Sequence, residues 1–375
     1  MVKLEKMLMI GSAGSNVGKT ELACVVLRIF SGEGRDIVGI KVTTIKEKDG
    51  QCPRGGKGCG VCSSLEGVYS IAEETDITSG KDTGRLLAAG AHRVFWLRVL
   101  KTHLQEGLSA LLDIVGPETT SICESNSLRN LVEPGLFLVV QRKDADMWKP
   151  SALEVKEHAD RIVVSDGSSF DLDIGRIKLY DGKWLLQSQA TAIVMAGGDS
   201  HRMGADKSML EIEGRPMIEV VCEQLANHFG QILISANDTD RFAFLGYDVV
   251  ADKVPGQGPL MGIASALHAS ANDLNLVVAC DIPHIESAFI KKMLAEAGNS
   301  EVDIVMPVSG QDKYEPLFAV YRKSAIEAMD KVLSSGGRKI ADVFALCRVK
   351  YIALDDAEWL TNINTMAEYE EFRRK

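Results

Sequence analysis

Thr191-Ala192-Ile193-Val194-Met195-Ala196-Gly197-Gly198-Asp199-Ser200-His201-Arg202-Met203-Gly204-Ala205-Asp206-Lys207 decides how this chain is read. The apolar run from Ala192 to Met195 is long enough for a buried strand. Gly197-Gly198 then lets the backbone turn sharply and leaves no side chain in a ligand's way. Amides exposed in such a turn bind phosphate oxygens. Arg202 and Lys207 follow at fixed offsets. A phosphate-binding turn with two cations describes a triphosphate site; two solvated charges after a glycine turn is the plainer alternative.

Further along, apolar runs end in polar residues of the same kind. Ile232 to Ser235 reads as a strand ending at Asn237, and Tyr247 to Ala251 as one ending at Asp252. Leu274 to Cys280 reads as a central buried strand with Asp281 at its tip. Ligand groups at the carboxyl ends of strands fit open α/β sheets. A carboxylate at that tip is placed to hold Mg²⁺ between triphosphate oxygens; capping the helix after Pro283 is its structural alternative. Tyr314 to Tyr321 reads as a further strand, and Ser335-Gly336-Gly337-Arg338-Lys339 as a helix start able to meet an anion or simply solvent. Thr365 with Glu368 has the spacing of a capping box.

Before Thr191, Lys6 to Ile10 reads as a strand. It leads into Gly11-Ser-Ala-Gly14-Ser15-Asn16-Val17-Gly18-Lys19-Thr20, and an apolar-periodic helix follows from Glu21 to Phe30. Ala13-x4-Gly18-Lys19-Thr20 is a P-loop: Gly14 to Gly18 would cradle phosphates, Lys19 reach the β/γ oxygens, and Thr20 ligate Mg²⁺. Cys52, Cys59 and Cys62 lie in a glycine-rich loop with a Cys-x2-Cys half-site, which points to zinc or an iron–sulfur cluster. Cys123 is the candidate fourth ligand in this half, and free thiols are the alternative. Segments 36–42, 94–97, 120–123, 136–141 and 161–165 read as strands alternating with helices over 80–91 and 100–115, which implies a mostly parallel sheet. Ile177 to Leu186 reads as a hairpin turning at Asp181-Gly182.

The expected architecture is therefore two α/β domains, over 1–187 and 190–375, with the short polar stretch Gln187-Ser-Gln189 between them. A length of 375 residues agrees with roughly two or three domains. Hydrophobic content of 46% and charged content of 25% are ordinary for a globular protein. A net charge of −10 argues against general nucleic-acid binding. No apolar run of membrane-spanning length occurs, and the start reads as a strand and not a signal peptide. Eight cysteines in so long a chain are not a disulfide framework, so a reducing, cytoplasmic setting is expected.

The spacing Met195-Ala-Gly-Gly-x3-Arg202-Met-Gly-x2-Lys207 resembles the signature of nucleotidyltransferases that activate sugars and cofactors. With Asp252, Gly258-Pro-Leu-Met-Gly262, Cys280-Asp-Ile-Pro283 and Asn362-Ile-Asn-Thr365 in order, it is most similar to the molybdenum cofactor guanylyltransferases. The resemblance covers the chain from about Thr191 onward and implies a Rossmann-like domain that transfers GMP from GTP to molybdopterin, releasing pyrophosphate. It implies that Lys207, Arg202 and Asp281 are catalytic, with Mg²⁺ on Asp281. Met195, Ala196, Gly197, Asn237 and Asp252 would frame guanine and ribose, and Asn362 and Asn364 the pterin. Related enzymes often carry His where this chain has Glu315 before Pro316. Relatives that transfer cytidylate tend to have Ala-Ala-Gly in place of Ala196-Gly197-Gly198, which favours guanine.

The first half resembles the P-loop GTP-binding partner protein of molybdopterin-guanine dinucleotide synthesis. The likeness rests on the P-loop, on Lys81-Asp82-Thr83-x5-Ala-Gly-Ala91 and on Glu124 after a strand; the cysteine loop and Ser125-Asn126-Ser127 depart from it. It implies an accessory GTP-binding domain, with molybdoenzyme apoproteins or other cofactor-synthesis proteins as partners. A non-catalytic GTP-binding adaptor or metallochaperone, built on the P-loop and cysteine loop, is the rival from another class, and intact Lys207 and Asp281 speak against it as the whole function.

Overall fold

A computed structural model describes residues 1–45, 65, 67–144, 147–197, 207–309, 313–354, 359–360, 362–363 and 365–374. The chain forms two compact units, Met1–Leu186 and Gln187–Lys375. In the first, β1 (Val2–Ser12), α1 (Lys19–Gly32), β2 (Val38–Ile45), β3 (Tyr69–Glu73), α2 (Asp82–Ala88), β4 (Arg93–Leu100) and α3 (Leu104–Val115) come in order. Then follow β5 (Ser121–Glu124), β6 (Val132–Arg142), α4 (Pro150–Leu153), β7 (Arg161–Ser165) and the hairpin β8 (Ile177–Tyr180) and β9 (Lys183–Leu186).

The main sheet has the order β3-β4-β2-β5-β1-β6-β7. All its pairs are parallel except the edge pair β3–β4. Strand β3 has no counterpart among the expected strands: Tyr69-Ser-Ile-Ala-Glu73 is exposed or half-exposed throughout on the sheet edge, so no apolar run marks it. The hairpin turns at Asp181 (φ 48°) and Gly182 (φ 75°), as the Asp-Gly signal predicts. It carries Trp184, fully buried and edge-on to Phe30 at 4.9 Å between centroids. Apolar side chains cover both faces of the sheet, α1 and α2 on one and α3 on the other.

The second unit contains β10 (Ser188–Met195), β11 (Glu211–Ile212), β12 (Arg215–Pro216), α5 (Met217–Ala226), β13 (Phe229–Ser235), β14 (Asp248–Val250), α6 (Pro259–Ala269) and β15 (Leu274–Ala279). They are followed by α7 (Ser287–Gly298), β16 (Ile304–Ser309), β17 (Lys313–Tyr314), β18 (Phe318–Arg322), α8 (Ala325–Ser334), α9 (Ala341–Phe344), β19 (Val349–Ala353) and α10 (Met366–Arg374). Its sheet runs β14-β13-β10-β15-β18-β16-β17, with β19 on β16. Strands β14, β13, β10 and β15 are mutually parallel, while β18 is antiparallel to both neighbours. The strand expected over 314–321 is instead two, β17 and β18. Pro316 has no N–H for a ladder, and the chain turns there, Phe318 N–H donating to Glu315 O at 2.9 Å.

The first residues of this unit are held by the turn before β13. Ser188 donates through N–H (2.7 Å) and Oγ (2.9 Å) to His228 O, and Gln187 Nε2 donates to Ala226 O at 2.9 Å. The His228 ring sits 2.8 Å from Ser287 Oγ. Burial, and then the nearby Lys291 charge, push its pKa down to about 4. In the unfolded chain it titrates near ~6.5. Folding therefore favours the neutral ring, and this contribution is full above ~6.5 and lost as pH falls toward 4. His228→Gln should flatten the fall in melting temperature between pH 6.5 and 4.5; a variant whose melting temperature falls as steeply as wild type would rule out this origin.

Candidate functional site

The parallel register brings four strand ends of the second unit level. Met195 is opposite Ser235 on one side and Ala279 on the other, and Ser235 is opposite Val250. The residues just past these ends therefore share one rim. Cross-links fix them: Cys280 N–H donates to Met195 O (3.1 Å) and Ala236 N–H to Val250 O (3.1 Å). The amides of Ala196 and Gly197 both point at Ser235 O, at 3.0 and 3.1 Å. Those two amides are committed to the protein, not to an incoming phosphate, because the strand ladder continues through them.

Asn237 and Asp252 interlock on this rim. Asn237 Nδ2 donates to Asp252 Oδ2 at 3.0 Å, and Asp252 N–H donates to Asn237 Oδ1 at 2.9 Å. Gly262, on the first turns of α6, shows what the rim demands. A Cβ there would lie 2.8 Å from Ser235 Oγ, 2.9 Å from Met195 Cε and 3.3 Å from Asp252 Oδ1. Gly262 thus lets three rim side chains close over the helix. Gly197 differs: among the described residues, a Cβ there would meet nothing nearer than Ser235 O at 3.7 Å.

Asp281 follows β15, its side chain 15% exposed. Lys207 Nζ lies 3.3 Å from its Oδ2, while Oδ1 is buried without a hydrogen-bond partner among the described residues. Burial holds the carboxyl above its usual range against the opposing pull of Lys207. Asn362, partly buried, comes to the same corner, since Ile363 N–H donates to Asp281 O at 2.9 Å. The capping box is formed: Thr365 N–H donates to Glu368 Oε2 (2.8 Å) and Glu368 N–H to Thr365 Oγ1 (3.2 Å). Glu315 pairs with Lys313 at 3.0 Å. The structure thus gathers Met195, Ala196, Gly197, Asn237 and Asp252 on the rim, and Lys207 and Asn362 around Asp281. Arg202 and Asn364 lie outside the described residues.

In the first unit the loop between β1 and α1 holds Gly14 to Gly18, and Lys19 and Thr20 open α1. Asn16 (φ 56°) and Gly18 (φ 97°) are both left-handed. Phe170 and Ser165 come within 3.3 and 3.4 Å of a Cβ built at Gly18. Thr20 is buried in the first turn of α1. Lys19 Nζ meets Glu124 Oε2 at 2.5 Å. The loop's entry is clamped by Asn126, whose Oδ1 accepts from Ser12 N–H (2.8 Å) and whose Nδ2 donates to Ser12 O (3.0 Å). The departure at Asn126 from the partner protein's pattern thus has a structural role that no local sequence signal marks.

The cysteine cluster of Cys52, Cys59 and Cys62 lies outside the described residues. Cys123, named as a fourth ligand, is fully buried in β5 among Ile40, Leu97 and Phe137. Burial pushes its thiol up to about 12, so it is a core residue, not a poised thiolate. Among the described residues no three His, Cys, Asp or Glu side chains gather as a metal cage. No described helix is long and apolar enough to cross a membrane.

Level parallel strand ends, a lysine-paired carboxylate at a central tip and a glycine turn define a Rossmann-like nucleotidyltransferase domain. Residues 192–349 match the MobA-like NTP transferase domain. A probable molybdenum cofactor guanylyltransferase of Carboxydothermus hydrogenoformans is 37% identical over 188 residues, 48% of this chain and 93% of the relative. One from Natranaerobius thermophilus is 36% identical over 203 residues, 50% of this chain and 97% of the relative. The solved molybdopterin-guanine dinucleotide biosynthesis protein A of Archaeoglobus fulgidus aligns over 49% of this chain and 97% of its own, at 24% identity and a TM-score of 0.44. Through its C-terminal unit the chain belongs to the MobA-like NTP transferase family.

The crowding at Gly262 gives a test. Gly262→Ala displaces Met195 and Asp252 while leaving the fold in place, so GTP affinity should fall by about tenfold or more for a melting-temperature change of a few degrees. Calorimetric titration checks it; wild-type affinity would show that the rim takes no part in binding.

Proposed function

We propose that the C-terminal unit transfers GMP from GTP to molybdopterin, forming molybdopterin guanine dinucleotide and pyrophosphate. The Lys207–Asp281 pair at the tip of β15 carries this reading, together with relatives named as molybdenum cofactor guanylyltransferases. The nucleophile is a phosphate oxygen, ionised near neutral pH, so no strong general base is required. Positioning and charge neutralisation do the work. Lys207 moves from Asp281 to the triphosphate and offsets the charge of the departing pyrophosphate. The interlocked Asn237 and Asp252, with the Met195 to Gly197 backbone, frame guanine and ribose. Asn362, tied to Asp281 through Ile363, takes the pterin side.

The buried, unpartnered Oδ1 of Asp281 fits a divalent cation. Mg²⁺ held there would supply positive charge to the α-phosphate. The first unit, on this reading, is an accessory nucleotide-binding domain in which Gly14 to Gly18 cradle phosphates, Lys19 reaches their oxygens and Thr20 adds a metal contact. Its left-handed glycine loop and its Lys19–Glu124 pair support this role.

Asp281→Ala should lower pyrophosphate release from GTP and molybdopterin by about a hundredfold or more in a folded protein. Near-normal turnover in a folded Asp281→Ala variant would sink the assignment.

A further inference from the structure

Four charged side chains meet beside the glycine loop of the first unit, and two of them have no place in the site as described so far. Glu124 ends β5, and its register partner in β2 is Lys41. Parallel partners project to the same face, so Lys41 stands next to Glu124. Lys41 Nζ is ion-paired with Asp82, the first residue of α2. Lys19 also acts on Asp82 through its charge. Lys19, Glu124, Lys41 and Asp82 therefore form one neutral cluster. Both lysines are largely covered, 22% and 20% exposed, and Glu124 is wholly buried with no hydrogen-bond partner for its Oε1 among the described residues. An unpartnered carboxylate oxygen in a buried cluster is costly unless a cation or a hydrogen-bond donor reaches it, as Mg²⁺ or water accompanying a nucleotide would.

A lysine in the apolar run Val38-Gly-Ile-Lys41-Val-Thr is out of place as core. A purely structural role would be to dock α2 onto β2. That role does not explain why the pair lies beside Glu124 and not at a helix face away from the loop. Lys19 reaches phosphate oxygens from the α1 side. A terminal phosphate projecting past Lys19 toward β5 would meet Lys41 next.

We propose that Lys41 is a specificity residue of the N-terminal nucleotide site: it binds the terminal phosphate of a nucleoside triphosphate, exchanging Asp82 for it, so the site distinguishes triphosphate from diphosphate. This rests on the nucleotide-binding reading of the first unit. In the empty site Asp82 keeps Lys41 neutralised and near its position. A diphosphate reaches Lys19 and leaves the Lys41–Asp82 pair intact. A triphosphate breaks that pair and gains a second charge-assisted contact.

The test uses the full chain carrying Lys207→Ala, titrated calorimetrically with GDP and with non-hydrolysable GTP in excess Mg²⁺. N-terminal binding is defined as the component abolished by a further Lys19→Ala. Lys41→Met should lower triphosphate affinity by about tenfold or more while diphosphate affinity stays within about threefold. Lys41→Met with Asp82→Asn leaves no orphaned carboxylate and should show the same loss of discrimination, and Lys41→Arg should restore part of it. Equal losses for both nucleotides, or an unchanged ratio in the double variant, would make the pair structural and overturn the inference. If no Lys19-dependent component exists in the parent, the nucleotide-binding reading itself fails, and the inference with it.

Discussion

A carboxylate buried at the tip of a central strand and answered by a lysine from a glycine loop recurs in both units, as Glu124 with Lys19 and Asp281 with Lys207. A carboxylate largely taken out of water is stabilised by a nearby positive charge. The pairing therefore limits where each loop can go. Each lysine side chain lies at the end of its carboxylate's strand. In each case one carboxylate oxygen takes the lysine, and the other is buried without a hydrogen-bond partner among the described residues.

Parallel pairing does the rest of the positioning. With Met195, Ser235, Val250 and Ala279 level across β10, β13, β14 and β15, every residue just past these ends lands on one rim. Residues as distant in sequence as Gly197, Asn237, Asp252 and Asp281 then need no further folding code to meet. The helix after β14 enters close beneath them because Gly262 offers no side chain to Met195 and Asp252.

Much of this was legible in the sequence because it lies in backbone-level signals. Apolar runs ending in Asn237, Asp252 and Asp281 give strands and their tips. Asp181-Gly182 gives the hairpin, and Thr365 with Glu368 the capping box. What escaped depends on tertiary contact. Nothing local says that Asn126 will clamp Ser12 across 114 residues, or that Lys41 will stand beside Glu124. The exposed edge strand β3 buries little, so its pattern is weak. Nothing local says that the amides of Ala196 and Gly197 will both be taken by Ser235 O of the neighbouring strand.

The capping box shows that local and functional readings need not compete. Thr365 and Glu368 start α10 by satisfying one another's backbone, which any helix start could do. Yet this also fixes a negative charge that, after burial, helps raise the Asp281 carboxyl. The segment just before it is tied to the Asp281 backbone through Ile363. Lys207 answers one oxygen of Asp281 and opposes the shift without cancelling it. A motif that stabilises a terminal helix by itself thus also adds, after burial, to the rise of the Asp281 carboxyl.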